Sequence, residues 1–378
     1  MPKVFSENKA ELISSFSENK FQNIFLVRGG SSYELSGAKA FIESAFNISG
    51  YYTGFDINPQ INDLEKGIEI FKKGHFDGII AIGGGSAIDM AKLISVFAHQ
   101  ENSIETILND NKLINNTKTP LLAIPTTAGT GAEATAFSVL YVNKKKYSVA
   151  SNTMLPDYVY LSHQFSLSAS AYLTACTGSD AFCQAIESVW SVNSTSESEE
   201  YAFKAVELIW NNLGAAVNSN HIGAKKMMQE ASFLAGKAIN ITKTTAPHAI
   251  SYAFTSYYGI PHGHAVSISL PYFFEFNCNI QDHNCVDKRG SAAVLTRLDR
   301  LLEIMNLRKD NIKDGLVSFF TSIGINTDIS SLIDGFDARL IKDNVNIERL
   351  KNNPRRINED DIDRFMDDRM LVSGNGNS

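Results

Sequence analysis

The sequence is poor in cysteine and has no long hydrophobic run, and both absences exclude classes of protein. Four cysteines in 378 residues, none in a C-x-x-C pair, do not make a disulfide framework. Four inert thiols are the simplest interpretation, and a zinc knuckle is the alternative. No run reaches the roughly 18 apolar residues of a membrane-spanning helix, and the polar, charged first 20 residues predict no signal peptide. We therefore expect a cytoplasmic protein with no membrane partner.

An excess of basic charge is also missing. The 34 Lys and Arg against 41 Asp and Glu give a formal net charge of −7, which disfavours nucleic-acid binding and anionic membranes. Hydrophobic residues at 44% and charged residues at 20% are typical of a folded, globular chain. An anionic substrate would therefore need a local basic pocket that acts against the overall negative charge.

Short apolar runs alternate with amphipathic patterns in the first part of the chain. Such runs are typical of strands buried on both faces, and their alternation with helices predicts a parallel sheet. After about residue 162, long helical patterns dominate. We predict an α/β domain over residues 1–162, an all-α domain over 163–378, and a site in the cleft between them. The predicted strands are Asn23–Val27, Tyr51–Phe55, Ile79–Ile82 and Leu121–Ile124.

A glycine-rich turn follows one of these strands in the segment IIAIGGGSAIDMAK, residues 79–92. Gly83, Gly84 and Gly85 precede a helix that we predict to open at Ser86, with Asp89 nearly in a capping-box position. Backbone N–H groups at such a helix start bind phosphate, so the segment predicts a pyrophosphate cradle. A tight turn without a ligand is the alternative.

A second loop, PTTAGTGAE at residues 125–133, follows the next buried strand. It matches the dinucleotide fingerprint G-x-G-x-x-A in form, but that fingerprint belongs on the first strand of a nucleotide-binding unit. Thr126 and Thr127, followed by small residues, suit hydrogen bonds to ribose or phosphate. The two loops together favour a nucleotide site.

Polar residues in the helical half form a candidate metal set. Asp180 and Gln184 lie four residues apart, so they share one face of a helix whose start we place near Thr177. His248 and Tyr252 share a face in the same way, and His262 lies in a predicted Pro-His-Gly turn. One carboxylate and two imidazoles suit Fe²⁺, Zn²⁺ or Mn²⁺. Alternatively, Asp180 caps its helix and the histidines are satisfied core groups.

Four motifs together resemble the iron-containing (group III) alcohol dehydrogenases, which are related to the dehydroquinate synthase fold. The motifs are GGGS-x-x-D-x-A-K, PTTAGTGAE, G-x-D-A…A-x-E and PHGH, and the resemblance runs from about residue 20 to Asp360. It implies a dinucleotide-binding domain, an α-helical metal domain, and hydride transfer between nicotinamide C4 and an alcohol or aldehyde.

The resemblance also implies roles for individual residues. It implies that Asp180, His248 and His262 hold the metal, with Fe²⁺ expected first and Zn²⁺ or Mn²⁺ as alternatives. Gln184 stands where the family usually has a histidine ligand, and Tyr252 stands where a histidine often assists. Asp89 would lie at the substrate end of the cofactor cleft. The implied cofactor contacts are Gly83, Gly84, Gly85, Ser86, Thr126, Thr127 and Thr130.

The expected cofactor is NADPH, with NADH as the alternative. Many family members carry an acidic residue where this chain has Gly30, and such a carboxylate binds the adenosine ribose and repels a 2′-phosphate. Its replacement by glycine, beside Arg28, Ser31 and Ser32, favours the phosphorylated cofactor.

The segment INITKTTAPHAISY is most similar to the phosphonoacetaldehyde reductase branch of the family. A phosphonate needs a cation, and Lys243 is the candidate, with a surface lysine as the alternative.

Proton delivery is open among His264, Tyr252 and a ribose hydroxyl. We also expect a homodimer or larger homo-oligomer. Alternative functions are reduction of a neutral aldehyde such as lactaldehyde or butyraldehyde, a dehydroquinate synthase-like lyase, and a catalytically silent binding protein.

Overall fold

The computed structural model describes residues 2–18, 21–143 and 145–370. It contains two compact units, Met1–Ala169 and Ser170–Ser378, and the sequence prediction places the boundary after residue 162. The first unit is α/β and the second is helical, which confirms the predicted fold class. Among the described residues, none of the helices has the length and apolar character needed to cross a membrane.

A six-stranded sheet forms the centre of the first unit, and every pairing in it is parallel. Its strand order is β1-β8-β5-β4-β2-β3, while β6 and β7 form a separate antiparallel pair. The strands are β1 Lys3–Ser6, β2 Ile24–Arg28, β3 Ile48–Tyr52, β4 Gly78–Gly83, β5 Leu121–Pro125, β6 Phe137–Val142, β7 Lys145–Ala150 and β8 Tyr158–Leu161.

Helices of the first unit pack against the sheet through two apolar clusters. Successive side chains of a strand point to opposite faces, so Ile79 enters one cluster and Ile80 enters the other. Strands buried on both faces are continuously apolar for this reason, which is why β4 and β5 were predictable. The helices are α1 Lys9–Glu18, α2 Ser31–Leu35, α3 Ala38–Ala45, α4 Ile61–Gly74, α5 Gly85–Phe97 and α6 Ile104–Asn109.

The edge strand β3 differs from its prediction. The sequence places a strand at Tyr51–Phe55, whereas the structure has it at Ile48–Tyr52. Only Tyr52 of this strand is buried, so apolarity does not mark where the strand begins. Strands β1, β6, β7 and β8 are also absent from the predicted strands. β1 and β7 each bury a single residue and form no continuous apolar run, whereas β6 and β8 contain short apolar runs that the sequence prediction overlooked.

The second unit consists of helices around its own apolar core. Its longest helices, α7, α8 and α9, pack against one another, and α11 packs against both α7 and α10. The helices are α7 Ala171–Trp190, α8 Ser196–Asn218, α9 Ile222–Thr242, α10 Ala246–Tyr258, α11 His262–Cys278, α12 Ser291–Met305, α13 Ile312–Ser322, α14 Ile329–Leu332, α15 Ala338–Asp343, α16 Ile347–Leu350 and α17 Glu359–Met370.

Candidate active site

Three loops meet at the carboxyl ends of adjacent parallel strands in the first unit. Arg28 at the end of β2 pairs with Ile82 of β4, and Gly83 pairs with Pro125 of β5. The Gly29 amide donates to the Ile82 carbonyl at 3.0 Å, and the Thr126 amide donates to the Gly83 carbonyl at 2.9 Å. The carboxyl edge of such a sheet is where ligands bind in open α/β folds.

Two glycines allow these loops to touch. Gly83 has φ +154°, and a Cβ there would lie 2.7 Å from the Ala87 Cβ and 3.2 Å from the Gly29 nitrogen. A Cβ at Gly85 would lie 2.8 Å from both Oγ1 and Cγ2 of Thr130. Gly83 and Gly85 are therefore required by contact between the loops, and they leave a surface made mostly of backbone.

The start of α5 presents the features of an anion site. The helix begins at Gly85, one residue before the predicted start, and its N-cap Gly84 has no side-chain cap. Backbone N–H groups and the positive end of the helix dipole favour a negatively charged group there. Thr126 Oγ1 is buried and has no hydrogen-bond partner among the described residues, which fits a site for a ligand.

Asp89 does not form the predicted capping-box arrangement. Its Oδ2 accepts a hydrogen bond of 3.1 Å from the Val139 amide in β6, so it ties α5 to that strand. Ser86 instead donates its hydroxyl to the Ile57 carbonyl. The role of Asp89 at the substrate end of the cofactor site stays a prediction.

The β2 loop has room where the family often carries an acid. A Cβ at Gly30 would meet nothing within 4 Å. Nearby, the Arg28 guanidinium lies 4.7 Å from the ring centre of Tyr33 and 5.7 Å from that of Tyr51. These cation–π contacts, and a hydrogen bond of 3.3 Å from Arg28 Nη1 to the Gly29 carbonyl, hold the guanidinium over the loop that leads to Gly30.

In the second unit, three helices bring Asp180, His248 and His262 together. Asp180 Oδ1 lies 3.3 Å from His248 Nε2 and 3.9 Å from His262 Nε2. One ligand atom from each residue lies within 4.8 Å of the others. Asp180 and His248 are buried, while His262 is partly exposed. Two imidazoles and one carboxylate are a donor set that Fe²⁺ often takes, and Zn²⁺ accepts a similar set.

The local structure around two of these residues differs from the prediction. Asp180 lies in the middle of α7, whose N-cap is Ser170, so the alternative that Asp180 caps its helix is wrong. His262 is the first residue of α11 and does not lie in a turn. A Cβ at Gly263 would come 1.9 Å from the Cys176 carbonyl oxygen and 3.0 Å from the Asp180 Cβ. Glycine therefore allows the start of α11 to touch α7 beside Asp180.

Gln184 completes the face of α7 that carries Asp180. It lies one helical turn further on and is buried, and its Oε1 has no hydrogen-bond partner among the described residues. A buried amide oxygen without a partner is costly, but the same oxygen is a suitable ligand for a hard cation. This orphaned atom beside the three-residue cluster shows that the residues present fit a divalent metal ion.

His248 is also bound from behind by a carboxylate that the sequence prediction did not single out. Its Nδ1 hydrogen-bonds to Glu187, a fully buried residue on α7. Burial alone would lower the pKa of His248, but the carboxylates of Glu187 and Asp180 outweigh it and raise the pKa to about 9. The sequence signal was the A-x-E motif, which places Glu187 seven residues, or two helical turns, after Asp180.

Tyr252 and His264 differ in how they relate to the cluster. The Tyr252 ring lies nearly parallel to that of His262, at an angle of 19° with centres 6.3 Å apart. His264 hydrogen-bonds through Nδ1 to the Tyr172 hydroxyl at 2.9 Å and through Nε2 to the Asn326 carbonyl at 2.6 Å. Burial lowers the pKa of His264, so a neutral ring is favoured.

Lys243 lies in the short connection between α9 and α10. Its φ is +59°, and its Nζ donates to the Asn240 carbonyl at 3.3 Å. Burial, together with the nearby Arg349 guanidinium, lowers the pKa of Lys243 to about 8. The connection itself is held firmly, because the Thr242 and Thr244 carbonyls accept hydrogen bonds from other side chains of the unit. Lys243 is therefore a half-buried cation rather than a fully exposed one.

Comparisons with known proteins assign both units to one family. Residues 2–163 match the model "Iron-containing alcohol dehydrogenase", and residues 174–370 match "Fe-containing alcohol dehydrogenase family, C-terminal". The chain is 30% identical to the sulfoacetaldehyde reductase of Bilophila wadsworthia, over 87% of this chain and 90% of that protein. It is 28% identical to the phosphonoacetaldehyde reductase of Streptomyces viridochromogenes, over 78% of this chain and 76% of that protein. In three further curated relatives, the match spans somewhat more than half of the relative's own length.

Solved structures show the same fold. The sulfoacetaldehyde reductase of Bifidobacterium kashiwanohense, in complex with NAD⁺, superposes with a TM-score of 0.87 at 27% identity. The superposition covers 98% of this chain and 97% of that one.

Proposed function

The chain belongs to the iron-containing alcohol dehydrogenase family, and from that premise we propose that it reduces a short aldehyde bearing an anionic group. Phosphonoacetaldehyde, reduced to 2-hydroxyethylphosphonate, is the proposed substrate, and NADPH is the proposed reductant. The observation that carries the reaction class is the cluster of Asp180, His248 and His262, with the orphaned Gln184 oxygen on the same face as Asp180.

A bound divalent ion supplies Lewis acidity toward the aldehyde carbonyl, and a reduced nicotinamide supplies the hydride. Asp180, His248 and His262 would hold the ion, with Gln184 as a weaker neutral ligand. Asp180 contributes the carboxylate of this set, and its burial strengthens its attraction for a cation.

The cofactor would be held mainly by backbone. The N–H groups at the start of α5 would bind the pyrophosphate, and the hydroxyl groups of Thr126, Thr127 and Thr130 would donate hydrogen bonds to phosphate or ribose. The free space at Gly30 and the Arg28 guanidinium support the choice of NADPH, because a 2′-phosphate placed there would have room and could pair with the cation.

Lys243 carries the proposed charge selectivity. It is a half-buried cation next to a second cation, Arg349, and an anion placed beside the pair would relieve their mutual repulsion. The relatives act, by their names, on sulfoacetaldehyde and phosphonoacetaldehyde, which are short aldehydes that each carry an anionic group.

We assign His264 a structural role, because both of its ring nitrogens accept or donate hydrogen bonds within the unit. We propose that Tyr252 lies beside the reacting groups, because its ring stacks on that of His262.

The proposed setting is the cytoplasm, where we expect a homodimer or larger homo-oligomer. Light scattering on the purified protein tests the oligomeric state.

Oxidation of NADPH with a panel of aldehydes tests the function. The panel contains phosphonoacetaldehyde, sulfoacetaldehyde, lactaldehyde and butyraldehyde, each with the metal-loaded enzyme. We expect the highest kcat/KM with phosphonoacetaldehyde and a fall of about tenfold or more for this substrate in Lys243→Gln, the usual effect of losing a charged partner. Lys204→Gln, which removes an exposed lysine on α8, is the matched control and should behave like the wild type.

Two outcomes would contradict the proposal. Equal kcat/KM values for charged and neutral aldehydes, with no effect of Lys243→Gln, would point to a reductase of neutral aldehydes. Absence of oxidation of both NADPH and NADH with every aldehyde would leave a lyase or a binding protein as the remaining functions.

A further inference from the structure

Glu187 is the most deeply buried carboxylate in contact with the metal cluster, and it is not itself among the clustered ligands. We propose that Glu187 is a positioning residue, which holds His248 in the one tautomer and orientation that can bind the ion. This inference rests on the proposed function, because it takes Asp180, His248 and His262 as the metal ligands.

The two ring nitrogens of His248 face different carboxylates. Nδ1 contacts Glu187 Oε1, while Nε2 faces Asp180 Oδ1 at 3.3 Å, on the side where His262 also points. A carboxylate can only accept hydrogen bonds, so Glu187 requires a proton on Nδ1. The lone pair of the neutral ring is then on Nε2, where the ion would bind. A histidine ligand that donates its other N–H to a carboxylate is a recurrent arrangement in metal sites.

Glu187 is itself fixed on its other side. Its Oε2 accepts hydrogen bonds from the Thr245 amide at 2.6 Å and from the Thr245 hydroxyl at 2.8 Å. The same hydroxyl accepts from the indole N–H of Trp190 at 2.8 Å. Thr245 is the N-cap residue of α10, the helix that carries His248. One carboxylate therefore joins α7 to the beginning of α10 and to the histidine ring at once.

Substitution by glutamine separates positioning from a merely structural role. In Glu187→Gln the single amide oxygen keeps the two Thr245 donors, and the amide NH₂ then faces His248. That NH₂ stabilises the tautomer with a bare Nδ1 and a proton on Nε2, which cannot bind the ion. A structural role would tolerate glutamine, because its shape and the Thr245 hydrogen bonds are retained.

The experiment titrates the metal-free protein with Zn²⁺ in competition with a chelator. We expect Glu187→Gln to weaken Zn²⁺ binding by about 10- to 100-fold, the range for partners of metal ligands, and Glu187→Asp to recover part of that loss. The matched control is Glu199→Gln, which changes a partly buried glutamate of the same unit that pairs with Arg289 and Arg297. It should bind Zn²⁺ like the wild type.

The outcomes separate this inference from the proposed function. A wild-type protein that binds no Zn²⁺ would overturn the proposed metal site, whereas equal affinity of wild type and Glu187→Gln would overturn the positioning role alone. If Glu187→Gln does not fold, NMR of labelled histidine in the Zn²⁺-loaded wild type decides the question. We expect a protonated Nδ1 and a metal-bound Nε2 for His248, and the opposite assignment would refute the proposal.

Discussion

The two units build their candidate sites from different parts of the chain. In the first unit, loops after β2, β4 and β5 approach so closely that glycine is required at Gly83 and Gly85, and the surface is largely backbone. In the second unit, the cluster consists of side chains from α7, α10 and α11, of which Asp180 and His248 are buried. Ligand binding at a site made of backbone is weakened by added side-chain atoms, whereas binding at a site made of side chains is weakened when one of them is removed. The two largest expected effects come from these two changes.

The largest effect is expected from removing a metal ligand. His248→Ala and His262→Ala should lose the bound metal and at least about a thousandfold in kcat/KM, because a set of three ligands cannot lose an imidazole. Asp180→Asn removes the only carboxylate of the set and should also weaken metal binding. Metal content after gel filtration measures the effect, with His283→Ala, on an exposed turn, as the control. If the three variants keep full metal content and activity after chelator treatment, the assignment of Asp180, His248 and His262 as metal ligands is wrong.

The second-largest effect is expected from adding one carbon to the backbone of the glycine loop. Gly85→Ala places a Cβ 2.8 Å from two atoms of Thr130, so that side chain or the loop must move. We expect the affinity for NADPH to fall by about 100-fold, corresponding to a strain of 1–3 kcal/mol, with metal content unchanged. Gly214→Ala, where a Cβ meets nothing within 4 Å, is the control and should bind NADPH normally. Cofactor fluorescence titration measures both, and equal affinities would contradict the loop assignment.

Gly30→Asp tests the cofactor preference with a side chain that has room. The new carboxylate would repel the 2′-phosphate of NADPH, and such like-charge contacts cost up to several kcal/mol. We therefore expect the ratio of the affinity for NADPH to that for NADH to fall by about 30-fold or more. Steady-state KM values for both cofactors give the ratio. A wild type that strongly prefers NADH would refute the NADPH assignment before the variant is needed.

Gln184 tests whether the second unit tolerates a weak ligand. Gln184→Ala should lower metal affinity by about 10- to 100-fold at most, and Gln184→His should raise it by adding an imidazole one turn from Asp180. If the Gln184 amide instead contacts the anionic substrate, Gln184→His should raise KM for phosphonoacetaldehyde and leave neutral aldehydes little changed. Equal changes for both substrates would exclude anion binding and leave a ligand position.

The smallest effect is a pH dependence at Lys243. Its pKa is lowered to about 8, so the ammonium is charged below that pH and neutral above it. KM for phosphonoacetaldehyde should therefore rise by about tenfold between about pH 7 and pH 9, while KM for butyraldehyde stays flat. Lys243→Gln should remove the difference. A parallel rise for both substrates would assign the pH effect to another group.

The sequence predicted the buried strands β2, β4 and β5, but missed the short buried strand β8 and the features that depend on tertiary contact. β4 is buried on both faces, and its continuous apolar run made the parallel sheet predictable. β3 exposes alternate residues at the sheet edge, and its start was misplaced by three positions.

The candidate site follows the same division. Asp180 and His262 were named as candidate metal ligands from their residue types, and the family resemblance implied the same role, but the sequence alone could not bring them together. Their contact depends on Gly263, whose missing Cβ lets α11 reach α7. The role of Glu187 was missed because it is visible only through its buried partners, His248 and Thr245.

The most direct test of the account is NADPH oxidation by metal-loaded protein with phosphonoacetaldehyde, measured beside butyraldehyde and beside the chelated, metal-free enzyme. The account predicts turnover that requires the metal and a kcat/KM at least about tenfold higher for the phosphonate. Such a difference corresponds to about 1.4 kcal/mol in transition-state binding. Turnover that survives complete metal removal, or no turnover with either aldehyde although metal and NADPH bind, would contradict it.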